Sequence, residues 1–255
     1  MGFLTNLKAR RAYQLHVKGD VKGAMAVYGQ AYAEGLSDPK LLIAYGMLLL
    51  RAGDYERTVE VLRKADKLPG VAPDQKTQIV QHYAVAIWKL GQHDRALEWL
   101  WQLFRKQKTG ALYGVLGFLL VEKAAEMKSG GDPTVTAADI QAAKDEAVAF
   151  NREAVDYDED DAICLDNLGQ AYYRLLGDKG MARTYFERAL KRRPNAIDTN
   201  YFLAQYDLEQ GNAADAADKL EISAAGRFSP LNYTTREMVE AQLSELKLSG
   251  LKEKM

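Results

Sequence analysis

Apolar residues recur three or four positions apart along almost the whole chain. Leu165, Leu168 and Tyr172 share one helical face, and Ala182, Phe186 and Ala189 share another. This spacing predicts amphipathic helices. The runs break at regular intervals, with Gly19, Gly53 and Gly91 in equivalent places. No β-rich segment is bounded by turns, so the chain reads as all-α. The helices fall into pairs that repeat with a period of roughly 35 residues, the mark of a helical-repeat array.

The clearest unit runs from Ala162 to Pro194. It reads Leu165, Leu168-Gly169, Tyr172, Ala182, Phe186, Ala189-Leu190 and Pro194. Gly169 and Ala182 are small where two antiparallel helices approach closely, and Pro194 ends the second helix. The unit resembles the tetratricopeptide repeat, whose pattern is W-x2-L-G-x2-Y, A-x3-F, then P. Leu165 stands where that pattern has Trp, and one extra residue falls in the turn around Gly177-Asp178-Lys179-Gly180.

Other copies follow the same logic. Ala12, Leu15, Gly19, Ala24, Tyr28 and Ala31 make the first, with Arg11 in place of the expected Leu. Tyr45-Gly46, Leu49, Gly53, Tyr55, Leu62 and Ala65 make the second, with Thr58 replacing Ala. Tyr83-Ala84, Ile87, Gly91, Ala96, Leu100 and Leu103 make the third. Leu203-Ala204, Gly211, Ala216 and Leu220 make the sixth. The fourth is stretched: the interval from Gly117 to Ala147 is more than twice that of any other copy. Lys128-Ser129-Gly130-Gly131-Asp132-Pro133 breaks it, and Thr136 with Asp139 reads as a capping box that restarts the helix. Both its helices are expected to be long, with a tip projecting by roughly 10 Å.

The resemblance implies an all-α, right-handed superhelical solenoid in one domain spanning 1–255. The expected repeats are 5–38, 39–72, 77–108, 110–160 with the extended hairpin, 162–195 and 197–226. After Gly226 and Pro230, a capping helix over 232–248 would bury Met238, Leu243 and Leu246 and shield the last repeat.

By the same resemblance, first helices line a concave face whose outward positions recognise a partner. Here those positions hold Tyr13, Met47, Arg51, Trp88, Lys89, Phe118, Gln170, Tyr173, Arg174, Tyr201 and Gln205. Aromatic and Met anchors with polar groups between them suit a peptide groove. Trp88, Phe118, Tyr173 and Tyr201 are the expected anchors, and Arg51, Lys89 and Arg174 the charge readers. Chaperone-binding relatives clamp a C-terminal carboxylate with Lys and Asn; Tyr13 and Met47 occupy the Asn positions, so that clamp is absent. Trp99 and Trp101 flank Leu100 and cannot all face one core. At least one Trp is expected toward the edge or convex side, packed on the long fourth repeat or marking a second contact or dimer surface.

Charge adds an asymmetry. The net charge is −1, yet residues 1–127 carry 18 Lys and Arg against 12 Asp and Glu, while 128–255 carry 16 against 23. Such polarity can steer a partner or favour head-to-tail contacts.

Candidate chemistry is sparse. His16, His82 and His93 lie in different repeats, none spaced as metal ligands, and Cys164 is far from all three, so neither a metal site nor a Cys-His pair is expected. The lone cysteine allows no internal disulfide, which fits a reducing compartment. The acidic run Asp156, Asp158, Glu159, Asp160, Asp161 lacks the glycine and final glutamate of a calcium loop and reads as an inter-repeat turn with a cap. Gly130-Gly131 lacks the following Lys-Ser/Thr of a phosphate loop. Lys191-Arg192-Arg193 ends a helix in the acidic half, and no repeated polar code for RNA is visible, so nucleic acid is not expected. The N-terminus has no signal-peptide run, Asn6 breaks the myristoylation pattern, and the apolar stretch Ala111 to Val121 is about half a membrane span. The expectation is a cytoplasmic, non-catalytic scaffold without cofactors or direct membrane insertion that binds a protein or peptide. The alternatives are a self-associating homo-oligomer and a small-ligand sensor.

Overall fold

The computed structural model describes residues 2–130 and 132–252, with side chains over 4–130 and 132–248. Met1 and Gly131 lie outside the described residues. Among these residues there are thirteen α-helices and no strand. They fall into two compact units, Met1–Gln107 and Lys108–Met255.

The N-terminal unit is three helix hairpins: α1 (Gly2–Val17) with α2 (Val21–Ala33), α3 (Pro39–Arg51) with α4 (Tyr55–Asp66), and α5 (Pro73–Lys89) with α6 (His93–Lys106). The turns follow from two residues. Gly53 takes φ 79°, which a β-carbon would disfavour, and lets Asp54 N–H return to Leu49 O at 3.0 Å. The Asp54 side chain then accepts from Arg57 N–H at 3.2 Å and starts α4. Asp20 repeats this for α2, accepting from Gly23 N–H at 2.8 Å. Thr58, in the alanine position, is fully buried and donates its hydroxyl to Asp54 O at 2.7 Å. The hydroxyl is satisfied within its own helix, so the exchange leaves no orphan donor.

Hairpins are joined by an aromatic latch. Arg63 of α4 donates to the Tyr83 hydroxyl of α5 from Nε at 3.2 Å and Nη2 at 2.8 Å. The Tyr83 ring stacks on Trp99 of α6, centroids 4.9 Å apart.

The C-terminal unit holds α7 (Gly110–Ser129) with α8 (Ala137–Tyr157), α9 (Ala162–Gln170) with α10 (Lys179–Arg192), α11 (Ile197–Glu209) with α12 (Ala213–Ala224), and α13 (Arg236–Lys252). The fourth hairpin is long, as its spacing predicts: α7 has 20 residues and α8 has 21, against 13 and 12 for α3 and α4. Thr136 and Asp139 form the reciprocal capping box, Asp139 N–H to Thr136 Oγ1 at 3.2 Å and Thr136 N–H to Asp139 Oδ2 at 2.9 Å.

The extra residue of the fifth hairpin lies elsewhere than its turn. Helix α9 continues through a π-helical segment, Ala171–Leu176, and Gly177 then takes the left-handed turn position at φ 71°. A π segment absorbs one residue by widening the helix, so the turn keeps its ordinary chemistry. The latch recurs here. Arg152 of α8 donates to the Tyr172 hydroxyl from Nε at 3.1 Å and Nη2 at 2.6 Å, and Tyr172 stacks on Tyr185 at 5.6 Å.

Helix α13 closes the last hairpin. Val239 and Leu243 join Ala204, Ala216 and Leu220 in one cluster, with Leu246 partly buried beside it. Met238 is only half-buried, so Val239 takes the role its neighbour was expected to fill. The helix begins only at Arg236 because the preceding residues are held against α11 by Asp198.

Candidate interaction surfaces

First helices are hemmed in on several sides, by their own second helix and by neighbouring first helices. This buries three of the residues expected to meet a partner. Trp88 is 3% exposed and stacks on His93 with centroids 4.2 Å apart. Phe118 is also 3% exposed, and Gln170 is 1% exposed. Spacing places all three on the first-helix face, but neighbouring helices cover them, so a partner cannot reach them in this structure.

The remaining residues in the C-terminal unit are engaged internally. Arg174 donates to Glu122 Oε1 at 2.5 Å and to Gln170 Oε1 at 3.1 Å. Gln170 Nε2 donates to Asp166 Oδ2 at 2.8 Å, and Thr199 Oγ1 donates to Asp166 Oδ1 at 2.5 Å. Gln205 and Gln242 exchange side-chain hydrogen bonds at 3.0 Å each. Tyr173 packs against Phe202 and Tyr206 at 5.1 and 5.9 Å.

The segment before α13 completes this closure. Asp198 of α11 accepts from Thr234 N–H at 2.9 Å, Asn232 Nδ2 at 2.9 Å and Tyr233 N–H at 3.2 Å. The Tyr233 ring stacks on Phe202 at 5.3 Å, approaches Tyr201 at 6.3 Å and lies 4.0 Å from the Arg174 guanidinium. Residues 228–233 are therefore half-buried as a strap across the first-helix face of α11. Burial pushes the carboxyls of Asp166 and Asp198 up; Asp166 reaches about 7, with the charge of Asp198 as second cause. Sequence spacing offered no sign of this strap beyond Gly226 and Pro230.

The N-terminal unit differs. Tyr13 is 38% exposed and Val17 71%, Arg51 and Lys89 are exposed, and Met47 is half-buried. Among the described residues neither Arg51 nor Lys89 has a hydrogen-bond or ion-pair partner. Tyr13 meets His16 edge-on at 6.4 Å, and the Lys40 ammonium lies 5.8 Å from the Tyr13 ring. Burial, and then the positive charge of Arg51, hold both His16 and His82 below the usual histidine range, His82 at about 4. Neither histidine Nδ1 has a partner. The positive charge of Arg51 thus acts on both imidazoles. Lys40, His16 and His82 join this surface, although the sequence raised the histidines only as metal ligands or as partners of Cys164.

Second helices are less open to a partner. The hollow between α2 and α4 is lined by Tyr32, Glu60 and Lys64 among others, and these satisfy one another: Tyr32 Oη donates to Glu60 Oε1 at 2.7 Å and Lys64 Nζ lies 4.5 Å over the Tyr32 ring. Trp99 and Trp101 are both half-buried while Leu100 between them is fully buried. Trp99 lies on Tyr83, and Trp101 meets Phe104 edge-on at 5.6 Å. Among the described residues no group of three or more His, Cys, Asp or Glu could hold a metal ion. Cys164 is buried and its thiol is pushed up to about 12, by burial first and Asp161 second. No helix among them is long and apolar enough to cross a membrane.

The tetratricopeptide-repeat family model matches residues 163–196, the fifth hairpin. The fifth hairpin is a tetratricopeptide repeat. No curated protein matches it in sequence. Among solved structures, it is similar to a thermophilic tetratricopeptide-repeat protein of Thermus thermophilus, with TM-score 0.64 and 17% identity over 83% of this chain and 100% of that one. It is similar also to the Cut9–Hcn1 hetero-tetramer of the APC/C, with TM-score 0.61 and 14% identity over 94% of this chain and 42% of that one. MamA of Desulfovibrio magneticus follows with TM-score 0.53 and 19% identity, over 76% and 97%. At these identities the likeness concerns the fold. The chain shares the all-α helical-repeat fold of these structures, and the π segment lies inside the matched repeat.

Proposed function

We propose that this protein is a non-catalytic interaction module that holds a segment of a protein partner against the first-helix face of its N-terminal unit. Tyr13 and Met47 are the apolar anchors, and Arg51 and Lys89 fix the register. The observation that carries the reading is Arg51, exposed at the end of α3 and without a hydrogen-bond or ion-pair partner among the described residues. An unpaired cation beside accessible aromatic and thioether side chains is the composition of binding hot spots. The tetratricopeptide fold generally mediates contacts between proteins, and one structural neighbour is itself a complex of two proteins, Cut9 and Hcn1. The C-terminal unit is the poorer site, because Arg174, Tyr201 and Gln205 are already met by the strap and α13.

Affinity capture from an extract of the source organism tests this, comparing the wild type with a folded Tyr13→Ala, Arg51→Ala variant. A protein held by the wild type and lost from the variant supports the face. A partner held equally by both contradicts it. Self-association is the second reading, favoured by the opposite charges of the two halves of the chain, and sedimentation over a range of concentrations separates it from the first.

A further inference from the structure

The first helices of the two units differ in one chemical respect. Helices α1 and α3 contain no Asp or Glu, and α5 has only Asp74, in its first turn. The same three helices carry Lys8, Arg10, Arg11, Lys40, Arg51, Lys76 and Lys89. The other acids of this unit lie in its second helices and its turns, and Asp38, next to Lys40's helix, is engaged in capping Leu41 N–H at 3.2 Å. The first helices of the C-terminal unit hold Glu122, Glu126, Asp166, Asp198, Asp207 and Glu209 instead. There the arginine of the face is neutralised from within, by Glu122. Among the described residues Arg51 has no such acid, and its charge helps hold His16 and His82 below the usual histidine range.

A guanidinium beside an apolar surface, free of its own counter-charge, favours a planar carboxylate that it can bind through two parallel hydrogen bonds. We propose that the face of α1, α3 and α5 takes an acidic segment of a protein partner, its carboxylates paired with Arg51 and its apolar side chains seated on Tyr13 and Met47. Lys40 and Lys89 extend the positive field to either side and steer the segment on approach. Val17, exposed at the end of α1, widens the apolar part of the seat. This inference rests on the proposed docking face and adds the chemistry of its occupant.

Selection from a display library of random twelve-residue peptides, panned on the full chain, tests both. The wild type should enrich peptides rich in Asp and Glu with interspersed apolar residues. Arg51→Gln should weaken the best of them by about tenfold or more, the scale of a lost charge-assisted contact. Arg105→Gln, on the second helix α6, should leave the affinity unchanged. A neutral or basic pool, or no pool at all, overturns the acidic occupant. A neutral pool lost on Tyr13→Ala and Met47→Ala overturns the chemistry while leaving the docking face. A pool of any charge that ignores all three face variants overturns the face as well. A wild-type dimer dissociated by Arg51→Gln assigns the face to a second copy and overturns the partner.

Discussion

Gly169 and Phe186 face each other so closely across the fifth hairpin that a β-carbon built on Gly169 would lie 2.7 Å from the phenylalanine ring. Phe186 cannot retreat, because it is fully buried and stacked on Phe202 at 4.9 Å. Gly169→Leu should therefore overpack the hairpin and destabilise the protein by roughly 1–3 kcal/mol. Urea unfolding followed by circular dichroism measures this. An unchanged midpoint would contradict the register of α9 against α10.

The arginine–tyrosine latch makes a second prediction. Tyr83→Phe removes the acceptor for two Arg63 hydrogen bonds and keeps the ring on Trp99. The loss should be about 1 kcal/mol, the ordinary net worth of such bonds. Tyr172→Phe should cost a similar amount through Arg152. If Arg63→Ala and Tyr83→Phe are additive in a double-mutant cycle, the latch carries no coupling.

Asp166 predicts a pH dependence. Its carboxyl is raised to about 7 in the folded protein by burial and by Asp198. An ordinary aspartate titrates near pH ~4, so between these values the folded state binds more protons than the unfolded one. Stability from this group is therefore highest at low pH and is lost as pH rises through about 7. Asp198 acts in the same direction. Asp166→Asn should flatten the fall in melting temperature between about pH 5 and about pH 8. Parallel wild-type and variant profiles would sink this account.

The strap should loosen on one substitution. Tyr233→Ala removes the stack on Phe202 and the ring beneath Arg174, while Asp198 keeps its backbone partners. Amide exchange in residues 227–234 should accelerate, with α9 and α10 little changed. Equal protection in both proteins would mean that the aromatic contact does not hold the strap.

Helix existence and pairing were legible in the sequence because the small residues Gly46, Ala84 and Ala204 stand 7 positions before the turn glycine, and Gly169 stands 8 before it. The long fourth hairpin was legible from Thr136 and Asp139, a local signal with a local cause. The π segment was not: a helix that widens and a turn that lengthens leave the same residue count, and only the place of Gly177 separates them. Exposure was the other gap. Trp88 stands before Gly91 as Leu50 stands before Gly53, and both are buried, Trp88 beneath His93 and its neighbours, which periodicity within one helix does not report. The strap depends on Asp198 meeting backbone N–H groups more than thirty residues away, a pairing with no sequence spacing of its own.

The docking face itself is tested most directly by site-specific photo-crosslinking. A benzophenone side chain would replace Met47, Lys89 or, on the second helix α6, Lys106, and each protein would be irradiated in source extract. The account predicts one crosslinked partner from positions 47 and 89 and none from 106. A crosslink from 106 with none from 47 or 89 would contradict it.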